Sequence, residues 1–473
     1  MDGVGAFHAE KPKAQATAKR VAKLLDEIAR TGAKRAQNTL YPLLVEESVL
    51  GFVDEVMALL TKRDTPIDPH LSKYALRLAT ETRHRGPVKL GLALLGVMRQ
   101  SAHENVALTL GKHDEFTLFA TVALTNMLDE PAAALWALAK CVDGWGRIQI
   151  VERLVPTDEP EIQYWLRTEG YKNSIMYEYL AHTAAVHGRL LDGLTAARVT
   201  SEELIAASDV IGALITGNGA PAAGIDAYDE AATTCKAYLD RVGRQPPKLR
   251  HFLTAQLIRR YVDDDKRAAA ERLKNGWNES NLATVRQLLS ELLSQTVWRD
   301  LVAEGVKSGS DQEFYDASRA ADYIGFDTFE FHWQRLVADP ASGGKWYEVM
   351  RRADVQRIDR IVRLAEKTIP LASIATGPAE DLGLGKGYEA HSCLDFIVQD
   401  LGKFPGKGWR LIDASLKSPV VRNRNMALKA LEAWGAQAWP VEAVAALTDA
   451  RNQESTEDVK KRLERILDSR EAG

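Results

Sequence analysis

The residues able to carry chemistry fall in a few short segments. GLGKG, Gly383 to Gly387, stands just before a predicted helix from Tyr388 to Leu401. Consecutive glycine N–H groups ahead of a helix N-terminus can cradle a phosphate, and Lys386 adds positive charge. Gly383, Gly385, Lys386 and Gly387 are therefore a candidate anion-binding group, with a plain flexible connector as the default reading. A nucleotide-binding Walker loop is absent: Glu380 stands where its first glycine belongs, and Gly387 replaces its Ser or Thr.

VDGWGRIQ, Val142 to Gln149, places Asp143, Trp145 and Arg147 close together. Asp143 fits a helix N-cap before a glycine turn. Trp145 and Arg147 are residue types favoured as binding anchors. GYKNSIMYEYLAHTAAVHG, Gly170 to Gly188, adds Tyr171, Asn173 and Tyr177 as groove-lining candidates. Its apolar stripe is expected to run through Ile175, Tyr179, His182 and Val186. His182 and His187 are five apart on a helix, so they diverge by roughly 140° and do not share a metal.

YVDDDKR, Tyr261 to Arg267, holds Asp263, Asp264 and Asp265, but Arg267 fills the slot where a DDxxD magnesium motif needs its last acid. Arg357, Arg360 and Arg363 recur every third residue, opposite an expected apolar stripe of Val355, Ile358, Ile361 and Val362. Arg422, Arg424 and Lys429 cluster on a later segment. With Asp354, Asp359 and Glu432 interleaved, these are either solvated faces or an electropositive groove.

No HExxH, GxSxG, HxE with PCxxC, or GxGxxG in a βαβ setting occurs. Neither a metal nor a cofactor is expected. The three cysteines, Cys141, Cys235 and Cys393, lie far apart and suit a reducing compartment. The scattered tryptophans are expected to pack between helices.

What must position these groups is helix. Val21, Leu24, Leu25 and Ile28 follow the i, i+3, i+4, i+7 pattern, as do Val459, Leu463, Ile466 and Leu467. Ser455 and Asp458 have capping-box spacing before that last helix. Between them lie roughly twenty helix-sized segments with short Pro, Gly, Asp or Asn breaks, grouping into units of roughly 35 to 45 residues. Two interruptions, GNGAPAAG (Gly217 to Gly224) and the glycine-rich stretch Ile374 to His391, suggest parts at 1–216, 225–373 and 374–473. The chain has 473 residues, 45% hydrophobic and 27% charged, with net charge −4. That composition buries a core and argues against nucleic acid as the main partner. The first residues have no apolar signal-peptide region, and no run is long enough to span a membrane, so the cytoplasm is the expected location.

DASLKSPVVRNRNMALKALEAWG, Asp413 to Gly435, resembles the second helix of a HEAT repeat: a Pro or Asp start, then V-R-x-x-A-x-x-A-L. Here Pro419 is expected in the first helical turn, with Val421, Ala427, Leu428, Ala430 and Leu431 facing inward. Asp129 to Leu154 and Arg85 to Met98 resemble such units too. The resemblance to HEAT/armadillo proteins implies an all-α, right-handed stack of antiparallel helix pairs. It also implies a concave face that binds a protein or peptide, here through Trp145, Arg147, Tyr171, Asn173, Tyr177, Arg357, Arg360, Arg422 and Arg424. A resemblance to HEAT-like DNA glycosylases would instead make Asp143 a catalytic acid beside Trp145 and Arg147. Nucleic-acid binding without chemistry would use the Arg357 ridge and the basic stretch from Arg241 to Lys274.

Overall fold

The computed structural model describes residues 15–62, 69–217, 222–264 and 273–471. Among the described residues all regular structure is helical, and the β-type pairing is an isolated parallel bridge between Asp381 and Val420. None of the described helices is long and apolar enough to cross a membrane. The all-α class read from the periodicity therefore holds. Residues 1–14, 218–221 of the GNGAPAAG break, and Asp265 and Arg267 of VDDDKR lie outside the described residues.

The chain divides into two compact units, residues 1–298 and 299–473. The 217–224 break falls inside the first and the glycine-rich stretch inside the second.

In the first unit alternate helices pack on one another in a continuous run. Arg85–Val97 contacts Thr117–Met127, which contacts Gly144–Leu154; the run goes on through Glu178–His187, Ser201–Thr216 and Leu249–Val262 to Glu279–Leu293. Shorter helices such as Glu104–Leu110 and Ala132–Ala139 intervene and pack against their neighbours in the run.

The Arg85–Val97 helix shows why the sequence permits this. Every residue from Pro87 to Gly96 is buried, so it is apolar around most of its circumference and must be covered on several sides. Gly91 and Gly96 let two neighbours come close. A Cβ on Gly91 would lie 2.7 Å from the Ala79 nitrogen, and one on Gly96 would lie 2.6 Å from the Ala123 Cα. Thus Pro69–Thr80 and Thr117–Met127 pack backbone to backbone against it.

The second unit repeats the arrangement. Gly343–Arg351, Glu389–Leu401, Val421–Trp434 and Glu457–Glu471 pack in succession, with Ile358–Thr368, Trp409–Leu416 and Ala443–Gln453 forming an adjoining series. Trp346, Leu394, Leu411, Leu428, Leu431 and Leu463 belong to one buried core.

Several local expectations need correction. Helix Val421–Trp434 starts beyond Pro419, and Val421 is only partly buried. The Ile358–Thr368 helix starts after Val355, which is exposed rather than inward, because the Asp354 carboxylate accepts the N–H groups of Gln356 and Arg357 and holds a turn there. The last helix opens at Glu457, directly after Thr456, so Ser455 is not at its cap position. In Glu178–His187 the buried face is Leu180, Ala181, Ala184 and Ala185, whereas Ile175 and Val186 are exposed.

Candidate binding surface

The segment 171–177 follows a five-residue π-helical turn, Leu166–Gly170, and joins it to helix Glu178–His187. Such a turn commonly marks a functional position. Polar side chains from two places in the chain hold this segment rigid. Arg147, on the first turn of Gly144–Leu154, donates from Nε to the Val142 carbonyl at 2.9 Å and from Nη1 to the Lys172 carbonyl at 2.7 Å. Asp143 sits at the N-cap position as expected, yet beyond the adjacent Gly144 N–H its side chain makes no capping bond. Its Oδ1 instead accepts the Ser174 N–H at 2.9 Å. Partial burial raises the Asp143 carboxyl, but the bonds from Gly144 and Ser174 and the Arg147 charge outweigh it and hold the group below its ordinary value.

Asn173 ties the loop to itself. Its Oδ1 accepts the N–H groups of Ile175 and Met176 at 3.0 and 2.9 Å, and its Nδ2 donates to the carbonyls of Tyr171 and Met176 at 3.1 and 3.0 Å. All four hydrogen-bonding positions of the amide are used. Tyr171 is fully buried, and its hydroxyl donates to Asp209 Oδ2 at 3.0 Å, with Arg250 3.5 Å from the other oxygen. Burial raises the Asp209 carboxyl, and Arg250 and the Tyr171 hydroxyl oppose that rise. The rings of Tyr171 and Tyr177 meet edge to face at 5.3 Å, and those of Trp145 and Tyr179 at 4.9 Å.

Asp143, Trp145, Arg147, Tyr171, Asn173 and Tyr177 are thus brought together, though in unequal roles. Tyr171 and Asn173 are buried braces rather than groove-lining groups. Asp143 and Arg147 direct their polar atoms into the loop backbone. The side chains turned outward are Ile175, Met176 and Tyr177, exposed by 39%, 46% and 37%. Ile175, expected on a packed stripe, and Met176 thus face outward; the signal for this in the sequence is an apolar run directly after Asn173-Ser174.

Two of the three ridge arginines of the second unit, Arg357 and Arg360, are paired with acids, whereas Arg363 is exposed. Arg357 pairs with Asp327 and Asp354, and Arg360 with Glu330 at 2.7 Å. Each also stands over an aromatic ring, Phe329 at 4.5 Å and Trp333 at 4.1 Å. Arg335 repeats the motif, over Phe314 and paired with Asp311. Arg422 pairs with Asp395 at 2.5 Å. Arg424 is buried and makes two 2.7 Å bonds to Glu454, so it is a core group and not a partner-binding one. Several of these pairs join residues 30 apart, as Asp327–Arg357, Glu330–Arg360, Arg424–Glu454 and Glu432–Arg462 do. In the described part of the basic stretch, Arg241 is spent on the carbonyls of Leu194 and Ala196, Arg244 on Asp240 and Arg250 on Asp209, while Arg259 and Arg260 are exposed.

At the glycine-rich stretch, Gly383, Gly385 and Gly387 all have positive φ, +70°, +88° and +98°. The Gly387 N–H donates to the Glu389 carboxylate at 2.9 Å, so the chain's own acid takes the place an anion's oxygen would occupy. Lys386 is exposed. His182 bonds the Ala227 carbonyl at 3.1 Å. Among the described residues no group of three or more His, Cys, Asp or Glu is placed to hold a metal ion. Comparison with protein-family models, with curated proteins and with solved structures finds no match to this chain.

Proposed function

We propose that this chain is a helical-repeat scaffold of the HEAT kind whose first unit binds a protein partner through the ledge formed by Ile175, Met176 and Tyr177. The run of alternate helices in contact supports the repeat reading, because stacked pairs generate such a run. One observation carries the binding reading. The polar groups of Asp143, Arg147 and Asn173 are consumed in fixing the backbone of 172–176, while three apolar side chains remain at the surface.

A loop already fixed in one shape loses little conformational entropy on binding, which is how preorganised surfaces gain affinity. Aromatic residues and Met are enriched at protein interfaces. A protein is favoured over nucleic acid because Arg357, Arg360, Arg422 and Arg424 are paired with carboxylates, and the net charge is −4. Affinity capture with the full chain in nuclease-treated native lysate at moderate salt tests this. A stoichiometric protein held by the natural chain and lost from the Met176→Asp, Tyr177→Ser variant is expected. An identical set on both chains, or nucleic acid in place of protein, refutes the reading.

A further inference from the structure

The second unit carries another exposed apolar feature, and much buried polar structure is committed to holding it. Residues 377–388 are fastened to the segment 417–421 at three points. The Gly377 N–H donates to the Lys417 carbonyl at 2.8 Å, the Asp381 N–H to the Pro419 carbonyl at 3.3 Å, and the Val421 N–H to the Asp381 carbonyl at 3.2 Å. The Tyr388 hydroxyl closes the loop by donating to Asp381 Oδ2 at 2.9 Å. Gly383 lies flat on Val420: a Cβ there would be 2.7 Å from the Val420 Cγ1.

The segment 417–421 is itself anchored from below. Arg424 donates to the carbonyls of Ser418 and Pro419 at 2.8 and 3.0 Å, while Ser418 Oγ meets His391 Nδ1 at 3.2 Å and the Asn423 Oδ1 at 3.0 Å. On this anchored base Leu382 and Leu384 are 79% and 76% exposed. Packing within the unit does not require them to be leucine.

We propose that the Leu382–Leu384 tip is a docking element that inserts into an apolar pocket with a basic rim on a protein partner. Charge decides between a protein and a membrane. From 380 to 389 the chain carries Glu380, Asp381 and Glu389 against Lys386, one positive charge and three negative, a net of −2 along the segment that holds the tip. An anionic lipid surface repels that arrangement. A pocket framed by Lys or Arg attracts it and orients the two leucines for burial. The tip belongs to the unit 299–473, so this inference stands or falls separately from the 175–177 ledge.

The test is photo-cross-linking in the native cell, with the full chain carrying benzoylphenylalanine in place of Lys386 and both leucines intact. The expected result is one cross-linked protein whose joined peptide lies beside an apolar pocket bearing Lys or Arg. Its yield should fall about tenfold or more in Leu382→Ser and also fall in Glu380→Lys, with the circular dichroism of both variants unchanged. Cross-links to lipid, to another copy of this chain, or to no consistent peptide overturn the proposal. So does a protein cross-link whose yield survives Leu382→Ser.

Discussion

Replacing Glu454 by alanine should be the most damaging single change in the second unit that leaves its apolar packing intact. Arg424 and Glu454 face each other with side chains only 1% exposed. Two parallel 2.7 Å bonds join them, from Nε and Nη2 to the two carboxylate oxygens. The remaining guanidinium N–H groups go to the Ser418 and Pro419 carbonyls and to Thr456 Oγ1. Without the carboxylate, a cation that cannot reach water keeps only neutral acceptors. Removing one partner of a buried pair costs about 3–5 kcal/mol, because the stranded charge retains its desolvation penalty. For a unit of this size each kcal/mol moves the midpoint by about 2–4 °C, so the transition of the unit should fall by about 6–20 °C. Calorimetry of the full chain, with Glu457→Ala as an exposed ion-pair control, reads the difference. The control should move it by about 0.5 kcal/mol or less. Replacing both groups by apolar residues, Arg424→Met with Glu454→Leu, should restore most of the loss. A loss below about 1 kcal/mol for Glu454→Ala, or a double variant no better than the single one, would refute this account of how the base of the 377–388 loop is held.

Gly91→Leu and Gly96→Val should each destabilise the first unit by about 1–3 kcal/mol or more, since the new side chains meet backbone atoms of Ala79 and Ala123; denaturant titration measures this. Arg147→Ala should speed amide exchange across 172–176 by at least tenfold while leaving the helical circular dichroism in place, because the Lys172 carbonyl loses the Arg147 bond that ties the loop to the 142–147 turn. Stability should also fall as pH drops from about 6.5 towards 4. Burial first, then neighbouring cations, lowers His251 to about 4 and His332 to about 3, so the unfolded chain takes up protons that the folded chain refuses. Each histidine removes about 1.4 kcal/mol per pH unit in that window. His251→Gln and His332→Gln should flatten the midpoint-versus-pH curve of their own units, as followed by calorimetry between pH 7 and 5.

The sequence made some of this legible and hid the rest for identifiable reasons. The paired helices Ala132–Ala139 and Gly144–Leu154 could be placed because Pro131 and Asp143-Gly144 are local signals that act on their own neighbours. The proximity of Asp143 and Arg147 to Tyr171 and Asn173 was not legible, since a loop more than twenty residues away supplies the partners of both. Arg424 read as a surface cation because nothing near it in the chain reveals Glu454, 30 residues on. The same spacing recurs in Asp327–Arg357 and Glu330–Arg360, so an acid-to-arginine register of that length was a usable signal that helical periodicity alone does not expose. Val355 was misplaced because its turn is set by the Asp354 side chain, which overrides the apolar period. The outward direction of Met176 and of Leu384 depends on tertiary anchoring, and hydrophobicity by itself predicts the opposite.

The proposed binding ledge requires a loop that is rigid in the free chain and covered by the partner. Hydrogen exchange of the Ser174, Ile175 and Met176 amides, in the full chain alone and with its captured partner, tests both halves together. Slow exchange in the free chain, slowed further by the partner, is the predicted result. Exchange at the rate of an unstructured peptide, or rates unchanged by the partner, would contradict it.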